Sequence, residues 1–224
     1  MITAYAEKVN FNELMEILSH EVHVYHKLPA INRIKKEGEY QFRILISTVL
    51  SSRTKDKVTA QASGKLFSKA PDLQKLSRLP ETEIRKLIYP VGFYRIKARN
   101  IKNIAKIILK KYKGLVPDNM NDLIKLPGVG RKTANLVLGI AFDIDSITVD
   151  THVHRISNRL GIIKTTKPCE TEQDLQIILP REHWISLNTY LVIHGQSICK
   201  PISPLCSRCK IISFCQRVGV DISR

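Results

Sequence analysis

A chain of 224 residues, 43% of them hydrophobic, can bury one medium core or two packed ones, and no stretch reaches the roughly 18 uninterrupted apolar residues of a membrane span. Lys and Arg number 36 against 20 Asp and Glu, a net charge of +16 whose self-repulsion a polyanion such as nucleic acid would offset, although a plainly basic surface explains the same surplus. The start MITAYAEKVNFNELMEIL lacks the basic flank and apolar run of a secretory signal, so a soluble intracellular protein is expected, and an odd count of five cysteines speaks against a disulfide framework.

In chain order, helical periodicity predicts helices at 11–26, 40–50, 55–68 and 81–88. His20, His23 and His26 on the first of these match no metal-ligand spacing. The clearest helix spans Lys97 to Lys113. Ile101, Ile104, Ala105, Ile108 and Tyr112 recur on one face, and Arg95, Arg99, Lys102, Lys106, Lys110 and Lys113 form a basic stripe elsewhere on the cylinder. Gly114 and Pro117 end it. Further helices are predicted at 119–126, 131–141, 151–160, 170–178 and 182–194, separated by short Pro- and Gly-bearing turns. Ser146–Val149 is the one candidate strand. The fold class is therefore all-α with tight connections.

The segment Leu126-Pro127-Gly128-Val129-Gly130-Arg131-Lys132-Thr133-Ala134 joins two of these helices. Its glycines permit positive φ and remove side chains where a bulky partner could approach. Amides of the turn and of the second helix's start can then hold a phosphate oxygen without reading a base. An ordinary tight hairpin would use the same residues. Lys132 falls in the first turn, near the positive end of the helix dipole and among other cations, a setting that disfavours the ammonium form and suits an amine nucleophile. A phosphate contact fits it too. In Val149-Asp150-Thr151-His152-Val153, Asp150 or Thr151 is placed to cap the helix that ends at Gly161. Cys199, Cys206, Cys209 and Cys215 are spaced C-x6-C-x2-C-x5-C, with one C-x-x-C knuckle where a zinc ribbon usually shows two. Spacing alone leaves zinc and a 4Fe–4S cluster both open. Cys169 reads as a free thiol.

These segments resemble, in the same order and across about residues 11–217, the motifs of the endonuclease III family of helix-hairpin-helix, iron–sulfur DNA glycosylases. LPGVGRKTA is similar to the family's hairpin, whose lysine two residues after the second glycine, here Lys132, is the nucleophile. VDTHV resembles the segment whose aspartate, here Asp150, is essential for base excision. The cysteine spacing is the family's cluster motif, which implies a 4Fe–4S cluster on Cys199, Cys206, Cys209 and Cys215.

The resemblance implies two helical lobes: a six-helix barrel with the hairpin over 34–144, and a cluster domain of 1–33 with 145–224. It implies a bifunctional base-excision enzyme that removes oxidised pyrimidines through a Lys Schiff base and nicks 3′ to the abasic site by β-elimination. Its partner would be double-stranded DNA with damaged bases or abasic sites, met as a monomer in a prokaryotic cytoplasm, with no membrane involved. DNA contacts are implied for Leu126, Gly128, Val129, Gly130, Arg131, Thr133, His152 and Lys200. The rivals are a monofunctional mismatch glycosylase, which typically lacks the lysine, and a non-catalytic DNA-binding hairpin protein with a cluster.

Two features depart from the family. Leu50-Ser51-Ser52-Arg53-Thr54-Lys55-Asp56 resembles LSxQTxD, where a glutamine fills the gap left by the extruded nucleotide; here Arg53 stands in its place, able to contact an orphaned guanine or a phosphate. The loop after Lys200, Pro201-Ile202-Ser203-Pro204-Leu205, is less basic than the family's. Val91-Gly92-Phe93-Tyr94 resembles the family's duplex wedge, and core packing accounts equally for Phe93.

Overall fold

The computed structural model describes residues 1–25, 30–34 and 40–224. Eleven α-helices run in chain order among them: α1 (Phe11–Tyr25), α2 (Tyr40–Ser51), α3 (Asp56–Lys69), α4 (Leu73–Arg78), α5 (Glu81–Ile88), α6 (Tyr94–Lys111), α7 (Met120–Leu123), α8 (Arg131–Phe142), α9 (Thr151–Leu160), α10 (Pro168–Ile178) and α11 (Trp184–Ser197). No strand occurs among the described residues, whose one β-bridge pairs Ile2 with Ile163. The fold is all-α. No described helix is long and apolar enough to cross a membrane. The chain divides into two units, Pro29–Ile144 and Met1–Leu28 with Asp145–Arg224.

In the unit Pro29–Ile144, α2 is apolar nearly all round, and Phe42, Ile44, Leu45, Ile46, Val49 and Leu50 are all buried. A helix of that kind has to be central. It packs on α3, α6 and α8. The stripe predicted for α6 faces this core, with Ile101, Ile104, Ala105 and Ile108 fully buried. The helix starts at Tyr94 rather than Lys97, because Phe93 takes a left-handed conformation (φ 57°) as its N-cap. Helix α4 was not legible in the sequence: six residues between prolines are too few for a period to show. It exists because the Asp72 side chain accepts from Lys75 N at 2.6 Å while Leu73 and Leu76 are buried against the core.

In the other unit, α1 and α9 pack on α11 around Leu14, Leu18, Val153, Ile156, Leu160, Leu187 and Leu191. Helix α9 has its predicted bounds, from the Asp150 cap to Gly161 at φ 81°. Helix α10 begins two residues before its predicted start, with Pro168 in its first turn, where a missing N–H costs nothing. Ser146–Val149 is buried but forms no strand; Asn188 Nδ2 donates to Thr148 O at 3.1 Å, so a side chain does what a ladder would. His26 and the His23 side chain lie outside the described residues.

Candidate active site

The hairpin is built from α7, the turn and α8. Asn119 Oδ1 caps α7 by accepting from Asp122 N at 3.0 Å, and Val129 N donates to Leu126 O at 3.1 Å to close the turn. The Leu126 and Val129 side chains are buried in the core, so a DNA contact at either position has to come from the backbone. The two glycines do different work. Gly128 holds φ 80°, and a Cβ there would lie 2.5 Å from Asn100 Nδ2 on α6. Gly130 has an ordinary φ of −95°, and a Cβ there would meet nothing within 4 Å. One glycine serves the fold, and the other leaves open space. Gly130 is also the N-cap of α8 and offers no side-chain acceptor, so the first-turn amides keep their donors for something else. Arg131 and Lys132 are exposed on this turn, and Thr133 is half-buried.

In the same unit the structure brings Arg53 and Phe93 together. The Arg53 guanidinium lies 5.7 Å from the centre of the Phe93 ring. Both residues are left-handed, at φ 52° and 57°, which costs roughly 1–2 kcal/mol each for a residue with a Cβ. Gly92 permits the approach, since a Cβ there would lie 2.5 Å from Arg53 O, and Gly92 N donates to Thr54 Oγ1 at 3.2 Å. Phe93 is 59% exposed, so core packing is not its role.

In the second unit, Asp150 Oδ1 accepts from His152 N at 2.8 Å and from Val153 N at 2.9 Å. The capping role is real, and the carboxylate is half-buried. His152 Nδ1 lies 3.2 Å from Arg155 Nη2, and the pair packs over Gly195 of α11, where any Cβ would collide with the imidazole. Lys200 is half-buried, and its carbonyl accepts from Arg159 Nη1 at 2.6 Å.

Cys199, Cys206, Cys209 and Cys215 line one cavity walled by Ile156, Leu160, Ile198 and Ile211. None is in a disulfide. Donors surround the sulfurs: Arg159 Nη1 at 3.5 Å from Cys199 Sγ, and Arg217 N at 3.3 Å from Cys215 Sγ. His194 Nε2 lies 3.8 Å from Cys209 Sγ, with Nδ1 held by the buried Glu21 carboxylate at 2.8 Å. Burial pushes the Cys209 thiol up to about 12 and raises that of Cys215. Among the described residues no three His, Cys, Asp or Glu side chains are grouped to hold a single metal ion. Cys169 is exposed on α10 and free.

Residues 46–181 match the sequence model of the HhH-GPD superfamily base excision DNA repair proteins. The chain is 49% identical over 175 residues to the endonuclease III of Thermotoga maritima, a match that covers 78% of this chain and 82% of that protein. The chain belongs to the endonuclease III family. Among solved structures, a non-covalent endonuclease III–DNA complex superposes with a TM-score of 0.79 at 32% identity, covering 93% of this chain and 96% of that one. A thermostable thymine-DNA glycosylase superposes at 0.76 and 25% identity, covering 90% and 92%.

Sequence reasoning missed one residue, Lys97, that braces the loop of Arg53. Lys97 is 7% exposed, and its ammonium donates to Leu50 O at 2.8 Å, Ser52 O at 2.5 Å and Thr54 Oγ1 at 3.2 Å. It thereby satisfies the end of α2 and holds the loop that carries Arg53. The signal was present, since Lys97 stands four residues before Ile101 on the apolar stripe. Burial lowers its pKa to about 8. Between there and the ordinary value of 10.5 the unfolded chain binds more protons at this site, so its contribution to stability rises with pH through that window. Lys97→Met should lose that slope and, by stranding two carbonyls, cost about 1–3 kcal/mol in denaturant unfolding. Parallel stability–pH curves for the two proteins would refute the burial of a titrating amine there.

Proposed function

We propose that this DNA glycosylase and AP lyase of the endonuclease III family acts on oxidised pyrimidines in double-stranded DNA through Lys132. The observation that carries the reading is local: Lys132 is exposed on the first turn of a helix whose amides have no side-chain cap, next to a glycine with open space before it. A phosphate held by those amides would fix the backbone of one nucleotide against the hairpin. Extrusion of that nucleotide costs a few kcal/mol, least at a damaged pair.

The Lys132 Nζ attacks the sugar C1′, the glycosidic bond breaks and the base leaves with its electron pair and a proton. The Asp150 carboxylate stabilises the positive charge that develops on the sugar. The C1′–O4′ bond then breaks as the nitrogen lone pair forms C=N and O4′ takes up a proton, and the resulting protonated, ring-opened imine acidifies the 2′ position. Loss of that proton expels the 3′ phosphate, and water then releases the lysine. Arg53 fills the place of the lost nucleotide, and its paired donors favour an orphaned guanine. Every group in this sequence lies on one chain, so a monomer suffices, working where the chromosome is.

The four cysteines fit a 4Fe–4S cluster in kind and placement: all unpaired, all on one largely apolar cavity, three with a nitrogen aimed at or near the sulfur. Family membership favours this cluster over zinc. Bound there, it would supply a cross-link for a segment whose only regular elements are short 3-10 turns, Cys206–Arg208 and Ile212–Phe214. Cys209→Ala should therefore lose iron and visible absorbance and melt roughly 10 °C lower, the equivalent of about 3–5 kcal/mol at this length. A purified protein rich in zinc and free of iron would defeat the assignment.

The function is tested on a panel of duplexes, each with one lesion, assayed with and without alkali. Nicking of an oxidised-pyrimidine duplex without alkali is expected. Nicking only after alkali would identify the monofunctional enzyme instead. Salt-sensitive binding with no cleavage of any duplex would identify a binding protein.

A further inference from the structure

Helix α5 turns Ile84 and Ile88 into the core. Its other face carries Thr82, Arg85 and Lys86, spaced i, i+3 and i+4, and Tyr89 follows as the extended C-cap just beyond the helix. With Tyr94 and Arg95 from the start of α6, these residues line an open cleft of about 470 Å³. The Tyr89 ring is 60% exposed and stands edge-to-face with Tyr94, centroids 5.4 Å apart and planes at 84°. The Arg95 guanidinium lies 4.9 Å from the centre of the Tyr94 ring. Charge in the cleft is one-sided. The Glu81 carboxylate is taken by Arg85 at 2.5 Å, and neither Lys86 nor Arg95 pairs with a carboxylate among the described residues.

We propose that this cleft binds an unpaired nucleotide of single-stranded DNA, with the base stacked on Tyr89 and the adjoining phosphate on Lys86 and Arg95. An exposed aromatic ring braced by a second one, beside two uncompensated cations, is what a strand with bare bases requires: each base offers a π-face and each link a phosphate. A paired duplex cannot use Tyr89 in this way, because both faces of its bases are already stacked. An acidic peptide could satisfy the cations but would leave the exposed ring without a partner. The site shares no residue with the hairpin, Asp150 or the Arg53–Phe93 pair; its bracing ring, Tyr94, adjoins Phe93 in the segment that resembles the duplex wedge, so the variants below leave Tyr94 in place. It would let the protein hold a frayed or displaced strand independently of its action on a lesion.

The test compares binding of a fluorescent oligothymidylate by the intact protein and by Tyr89→Ser, Tyr89→Trp and Arg95→Ser. Tyr89→Ser should weaken binding by about 5- to 150-fold, the range for loss of one stacked base, and Tyr89→Trp should retain it. Arg95→Ser should weaken binding and lower the salt slope by about one phosphate's share. Nicking of a fully paired lesion duplex should be unchanged in all three. The proposal is overturned if Tyr89→Ser binds the oligonucleotide as tightly as the parent, if oligoglutamate competes equally well, or if duplex nicking falls in step with single-strand binding. Lys132→Gln separates this from the catalytic reading: it should lose nicking and keep oligothymidylate binding, whereas nicking retained there would sink the Schiff base and leave the cleft standing.

Discussion

Lys132→Gln is expected to reduce nicking of an abasic duplex by on the order of 10³-fold or more, and to abolish the covalent adduct that borohydride traps. The side chain is exposed, and glutamine is a good helix former, so neither packing nor propensity is disturbed. Binding to the same duplex should change by no more than one phosphate contact's worth. Asp150→Asn is the companion measurement. Asn caps a helix about as well as Asp, so the bonds to His152 N and Val153 N survive while the charge goes. Excision of a damaged base should then fall far more than nicking at an abasic site already formed. Asp150→Ala adds the loss of the cap, about 1 kcal/mol of stability. Undiminished nicking by Lys132→Gln would end the Schiff-base assignment whatever Asp150 did.

The second large effect is a contrast between two glycines two residues apart. Gly128→Ala forces a Cβ into a left-handed position and displaces the Asn100 amide, whose Nδ2 would otherwise lie 2.5 Å from it, so it should destabilise the protein by about 1–2 kcal/mol, chiefly through the backbone. Its Tm should fall before any DNA is added. Gly130→Ala meets open space at an ordinary φ, so the fold should lose no more than about 1 kcal/mol, the penalty for Ala in place of Gly at a helix N-cap. The methyl group would stand instead where a phosphate approaches the α8 amides, and duplex affinity should drop roughly tenfold or more, as it would for a lost charge-assisted hydrogen bond. The two variants measured together, by melting and by duplex binding, give opposite patterns. If both mutations act on stability alone, the open space before α8 is not a binding surface.

Much of this protein was legible as a string of residues. The periodic stripe of α6, the span of α9 between an aspartate and a glycine, and the hairpin glycines are all local features, set by backbone geometry and by which residues repeat every third or fourth place. The same holds for the four-cysteine spacing, since the ligands of a compact group have to lie close along the chain. Helix α4 was not legible, because six residues hold no period and only the core that buries Leu73 and Leu76 makes them helical.

By itself, then, the sequence determined an all-helical chain, the position of an amine after a two-glycine turn, and four thiols in one short loop. Tertiary structure alone decided which glycine serves the fold and which leaves room for a partner, because that depends on Asn100 of a different helix. It decided that Lys97 braces the loop of Arg53, that Phe93 lies beside that arginine and out of the core, and that Tyr89 and Tyr94 share a cleft. Each of these is a contact between residues distant in the chain or set by how its helices cross, and local propensity carries no information about such distances.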